Sequence, residues 1–143
     1  MIKDVQIKRA YERPAKADGY RVLVDRVWPR GVRKEDLRLN EWAKDLAPST
    51  KLRQWFGHDP KRWHEFEQRY EWELMDPGIQ AEIGRVVDAA KDHAMLTLVY
   101  SAKDEEHNQA VVLCGVFARR LWGSRRRAIK GETGGKATAA LTE

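Results

Sequence analysis

Two apolar runs limit most strongly what this chain can fold into: "YRVLV" at Tyr20–Val24 and "MLTLVY" at Met95–Tyr100. Val22, Leu23 and Val24 follow one another without polar alternation, the pattern of a strand covered on both faces. Between the two runs the apolar spacing becomes helical. Trp63, Phe66, Tyr70 and Leu74 form one stripe, and Ile79, Ile83, Val86, Val87 and Ala90 form another. Covered strands separated by amphipathic helices predict an α/β fold, a small and mainly parallel sheet flanked by helices on both faces. Ligands in such sheets bind beyond the carboxyl ends of the strands.

The remaining elements follow from local signals. "VQIKRAY" alternates and predicts a half-exposed strand, and "PAKADG" predicts a turn. "RGVRKEDLRLNEWAKDL" predicts a loop leading into a short helix around Trp42. Ser49 or Thr50 suits an N-cap, with Gly57 as the stop. Asp59 followed by Pro60 marks another helix start. Pro77-Gly78 breaks that helix from the next, and "QAVVLCGVFARRLW" predicts a largely buried helix. The 143 residues are read as one α/β domain over 1–122 and a flexible basic tail over 123–143, without internal repeats.

The formal net charge of +5 raises the question of nucleic acid. Residues 123–143 carry five basic and two acidic side chains, whereas residues 1–122 carry 22 basic and 20 acidic ones. The body is nearly balanced, which makes nucleic acid the less favoured partner. No apolar run reaches a membrane span, and the N-terminus has no secretory h-region. The single cysteine, Cys114, lies in an apolar stretch and is expected to be a buried thiol. These features predict a cytoplasmic protein without membrane association. Six Trp residues in so small a domain leave room for a homodimer.

The polar residues after the two apolar runs carry the candidate chemistry. In "DRVWPR", Arg26 and Arg30 can hold a phosphate or carboxylate, Asp25 can act as a base, and Trp28 can wall a pocket. In "SAKDEEH", Lys103 can neutralise an anion, while Asp104 can orient His107 for proton transfer. His58, in "FGHDP", is a further candidate for contact with a ligand. Each has a plainer reading: Asp25 paired internally with an arginine, Asp104 capping the helix that follows, His58 and His107 solvated. The chain has no GxGxxG after a strand, no GxxxxGK[ST], no HExxH and no GxSxG, so no cofactor is implied. His58 and His107 lack a companion at chelating spacing, and no metal site is expected.

The strings "GYRVLVDRVWPRGVRKEDL", "WAKDLAPSTKLRQWFGHDPKRWHEFEQRYEWEL" and "LTLVYSAKDEEHNQAVVL" resemble the YeaO-like proteins, a bacterial family of unknown function (domain of unknown function 488). The likeness runs from about Ile7 to Leu121. It implies a small cytoplasmic α/β domain and assigns no catalytic residue. The leading expectation is a protein that binds an anionic, phosphate- or nucleotide-like small molecule at the strand ends, with hydrolysis or group transfer as the chemistry if it is catalytic. The alternatives are a non-catalytic regulatory or nucleic-acid-binding protein, and a haem or metal binder through His58 or His107.

Overall fold

The structure, a computed structural model, describes residues 1–123, 128–130 and 137–140, the last two stretches in their backbone. Four parallel strands make the body of the sheet: β1 (Asp4–Arg9), β2 (Tyr20–Leu23), β3 (Glu41–Trp42) and β4 (Met95–Tyr100), in the spatial order β3-β2-β4-β1. Beyond β1, β6 (Ala137–Ala140) and then β5 (Ala128–Lys130) add antiparallel strands. Of the segment expected to be a flexible tail, residues 124–127, 131–136 and 141–143 lie outside the described residues.

Among the described residues five α-helices accompany the sheet: α1 (Lys34–Leu37), α2 (Thr50–Phe56), α3 (Trp63–Leu74), α4 (Pro77–Ala90) and α5 (Gln109–Trp122). Alternation along the strands assigns each side chain to a face. Val22 and Val24 join Val5, Ile7, Leu96, Leu98 and Tyr100 in the main core, where α2 to α5 pack. Leu23 and Val99 point the other way, into a smaller cluster with Leu37 of α1, Trp28 and Trp42. This is why both strands read as continuously apolar. The fold is therefore the α/β sheet with helices on both faces that the pattern predicts, and its second layer is thin, built from one helical turn and loops.

Local chemistry accounts for the helix boundaries. Ser49 Oγ accepts from the Leu52 N–H at 3.1 Å and caps α2, and Gly57 ends it at φ 53°. Glu73 of α3 secures that cap by accepting from Ser49 N and Oγ at 2.9 and 2.6 Å. Asp59 and Pro60 open a 3₁₀ turn that leads into α3, and Asp76 caps α4 through the Gly78 and Ile79 N–H groups. Gly19, at φ 63°, precedes β2 where a Cβ would run into the Met95 carbonyl oxygen, so this position excludes a side chain.

Two local expectations are corrected. The helix near Trp42 forms earlier, at Lys34–Leu37, and Trp42 lies in β3. Strand β1 is not half-exposed at Lys8. The Lys8 side chain is buried against Asp18, which also receives Arg21, with contacts of 3.0 and 2.7 Å. Arg21 in turn donates to the Leu37 carbonyl at 2.8 Å, tying α1 to β2. Gln6 bridges to Thr97 Oγ1 at 2.9 Å, and Thr97 donates to the Asp18 carbonyl at 2.6 Å. A buried ion network thus covers the part of the second face that the apolar cluster leaves open.

Candidate functional site

Because β2 and β4 are adjacent and parallel, the chain leaves both at the same edge of the sheet. The two polar loops meet there. Ser101, the first residue after β4, donates from Oγ to Asp25 Oδ2 at 2.6 Å. Gln109, the first residue of α5, donates from Nε2 to Asp25 Oδ1. Trp42 Nε1 holds the Asp25 carbonyl at 2.6 Å. Asp25 is only 7% exposed. Burial raises its pKa above the ordinary carboxylate value, against the hydrogen bonds from Ser101 and Gln109 and the charge of Arg53, which favour the ionised form.

Asp25 borders a cavity of about 140 Å³. Arg26, Arg53 and His58 supply its cationic or protonatable groups, Ser101, Asn108 and Gln109 its neutral polar groups, and Phe56 and Phe66 part of its apolar wall. Helix α2 carries Arg53 and Phe56 on one side, with His58 just past the Gly57 stop, itself at φ 57°. Helix α5 closes the other side. Its cap is Asn108, whose Oδ1 accepts from the Ala110 and Val111 N–H groups at 2.9 and 3.2 Å. Arg26 Nη2 reaches the Ala47 and Pro48 carbonyls at 3.2 and 3.4 Å. Its Nε is buried without a hydrogen-bond partner among the described residues. A buried N–H in that condition costs on the order of 1–3 kcal/mol, which a ligand acceptor or an ordered water relieves.

The structure brings together Asp25, Arg26 and His58 of the expected residues and places the others elsewhere. Arg30 is exposed, and its carbonyl accepts from Tyr11 Oη at 2.9 Å. Trp28 donates from Nε1 to the Val32 carbonyl at 2.7 Å and packs edge-on against Trp42 in the smaller core, away from the cavity lining. Lys103 is exposed. Asp104 caps a tight turn rather than α5, accepting from the Glu106 and His107 N–H groups at 2.9 and 3.0 Å, while its Oδ2 meets His107 Nδ1 at 2.9 Å. Burial would raise the Asp104 pKa, but those N–H groups and the His107 ring hold it below the ordinary value. The His107 ring lies against Trp63 at 5.2 Å between centroids, so the Asp104–His107 pair does not line the cavity.

Ser101, Gln109 and Arg53 belong to the site, and the sequence reading passed over them. Ser101 and Gln109 carry no charge, so a search for titratable clusters does not select them. Their positions did carry a signal, at the first residue after a covered strand and the first residue of a buried helix. Arg53 lies on a helix face that looks merely solvated in sequence. Among the described residues no group of three or more His, Cys, Asp or Glu side chains is placed to hold a metal ion, and no helix is long and apolar enough to cross a membrane.

Comparison with known proteins places the chain in a family. Residues 4–132 match the family model DUF488-N3i, described as the inactive DUF488-N3 subclade. The chain is 44% identical over 110 residues to the uncharacterised protein YeaO of Escherichia coli (strain K12), covering 77% of this chain and 93% of that one. It is 41% identical over 116 residues to the uncharacterised protein Rv3073c of Mycobacterium tuberculosis (strain ATCC 25618 / H37Rv), covering 81% of this chain and 95% of its relative. No solved structure matches. With a family model spanning most of its length and relatives aligned over nearly their whole chains, the protein belongs to the YeaO-like DUF488 family, in the subclade described as inactive.

Proposed function

We propose that this protein is a non-catalytic binding domain whose cavity at the β2 and β4 ends takes a small anion of phosphate or carboxylate size. The observation that carries the reading is the convergence of Arg26, Arg53 and His58 on a cavity where Arg26 Nε is buried without a partner. Arginine matches carboxylate and phosphate oxygens with paired donors. Asp25 complements this at the inner edge. With its pKa raised, its protonated form donates to an anion oxygen, whereas its ionised form would repel the ligand. Pockets that enclose drug-sized ligands measure roughly 300–1,000 Å³. At about 140 Å³ the cavity suits a compact anion, or the anionic end of a larger molecule, better than a whole nucleotide. Binding without chemistry agrees with the subclade description and with the turn of His107 toward Trp63. A cytoplasmic setting suits a chain whose only cysteine is the buried Cys114.

The test is titration calorimetry of the full chain with inorganic phosphate, acetate and adenosine monophosphate, with melting followed in parallel. Phosphate or acetate should bind and raise the melting temperature by mass action. Arg53→Ala should abolish that shift while Arg30→Ala keeps it. Equal binding by Arg53→Ala, or no binding of either small anion, would overturn the proposal.

A further inference from the structure

A second surface, on the thinly covered face, has the make-up of a polyanion site. The near-balance of charge over residues 1–122 conceals a segregation along the chain. Residues 9–38 hold nine basic and five acidic side chains, an excess of four positive, whereas residues 39–123 hold eleven basic and fourteen acidic ones, an excess of three negative. Within 9–38, Asp18 and Asp25 are buried. Arg13, Lys16, Arg30, Arg33, Lys34 and Arg38 are all exposed. Of these six, Arg33 has an ion-pair partner, Asp36 at 3.0 Å, and the other five have none among the described residues.

The loops after β1 and β2 fold this charge around a groove of about 580 Å³ that shares no lining residue with the cavity at Asp25. Arg13, Arg38, Tyr11 and Pro14 line it, together with two acids that already have partners, Glu12, which accepts from the Arg9 N–H at 3.2 Å, and Asp36, paired with Arg33. Tyr11 is 49% exposed. Its ring is fixed by its hydroxyl on the Arg30 carbonyl at 2.9 Å and by the Arg9 guanidinium 4.9 Å from its centre. Arg38 is also unusual in its backbone. It ends α1 at φ 50°, in the left-handed region where glycine or asparagine is less strained. A strained non-glycine residue is a pointer toward use of its side chain.

We propose that this groove binds single-stranded nucleic acid. Arg13, Arg38 and Arg30 contact successive phosphates, and an unpaired base stacks on Tyr11. Stacking on an exposed, fixed aromatic ring flanked by cations is how single strands are held without sequence preference, and a duplex keeps its bases from such a ring. The strand lies on the face opposite α2 to α5, so occupancy of the anion cavity is not required.

Fluorescence anisotropy of the full chain with labelled single-stranded DNA and RNA of about 12 nucleotides tests this, since single-strand sites span roughly 4–16 nucleotides. Binding should weaken steeply with salt, and Arg13→Ala should lower the salt slope by about 0.7, the value for one phosphate contact on a single strand. Tyr11→Ala should weaken the single strand about tenfold, the size of one lost stacking contact. Arg38→Gly removes the charge while relieving the backbone, so it should melt no lower than the parent and still bind more weakly. Affinity unchanged in both Tyr11→Ala and Arg38→Gly would assign binding to other basic residues and overturn the proposal. So would a duplex or polyglutamate bound as tightly as the single strand.

Discussion

Strand β2 is bracketed by two buried acids that have been given opposite surroundings. Asp18, before the strand, is 2% exposed and closed in by the Lys8 ammonium, the Arg21 guanidinium and the Ala15 N–H. Asp25, after it, is nearly as buried but meets only neutral donors, Ser101 and Gln109, and borders a cavity. Burial pushes both pKa values up. At Asp18 the Ala15 N–H, Lys8 and Arg21 reverse that and leave the value lowered, while at Asp25 burial prevails. The contrast separates two uses of one residue type. A carboxylate whose charge is already matched by cations holds the fold together. A carboxylate with neutral partners and space beside it remains available to something outside the chain.

The largest effect should come from breaking the matched site. Asp18→Ala leaves Lys8 and Arg21 buried without their counter-charge, and losing one partner of such a pair costs about 3–5 kcal/mol. Urea unfolding should register most of that loss, and a change below about 1 kcal/mol would mean the network is replaceable by water.

The pH dependence should be opposite in sign at the two acids. Asp18 titrates lower in the folded protein than in the unfolded chain, where Asp sits at about 3.9. Its stabilisation is therefore fully present above that value and is lost as pH falls through the lower folded pKa. Asp25 titrates higher when folded, so the folded protein holds its proton more tightly. Stability then rises as pH falls through the folded Asp25 pKa and is lost as pH climbs back through it. Urea midpoints across mild and strong acid should show the Asp25 contribution vanish in Asp25→Asn and the Asp18 contribution vanish in Asp18→Asn. Curves that keep both features in either variant would break the assignment.

The smallest stability change should be that of Asp25→Asn at neutral pH. It removes a buried charge with no cation in direct contact, so melting should stay within a degree or two or move upward, a shift corresponding to less than about 1 kcal/mol. Anion binding should hold or strengthen in the same variant, because the amide removes the charge that would repel an anion and its N–H groups can still donate. A loss of several kcal/mol would instead make Asp25 a second structural lock.

The sequence revealed the frame better than the pockets. Val22–Val24 and Met95–Tyr100 show that two strands are covered on both sides, which leads to the parallel sheet and to the edge where Asp25, Arg26 and His58 gather. The buried network was hidden because Lys8, Asp18 and Arg21 are ordinary surface residue types, and only the β1–β4–β2 pairing turns them toward one another. Trp28 and Arg30 were misplaced for a related reason. Adjacency in "DRVWPR" does not reveal that the chain turns after Asp25 and carries them to the opposite face. Charge segregation could be counted from the sequence, but it acquires meaning only once the loops after β1 and β2 share a groove.

The pairing order also sets a timetable. Both β1 and β2 hydrogen-bond to β4 and not to each other, with Asp4 opposite Met95 and Tyr20 opposite Leu96. During synthesis the two N-terminal strands emerge with unpaired edges and must wait for the segment around Met95–Tyr100 before either can be completed. Contacts so distant along the chain slow folding, and waiting strand edges are prone to associate with other chains. A truncation before Met95 removes the strand that both edges pair with and leaves them open for good, so it should yield aggregates rather than a smaller domain.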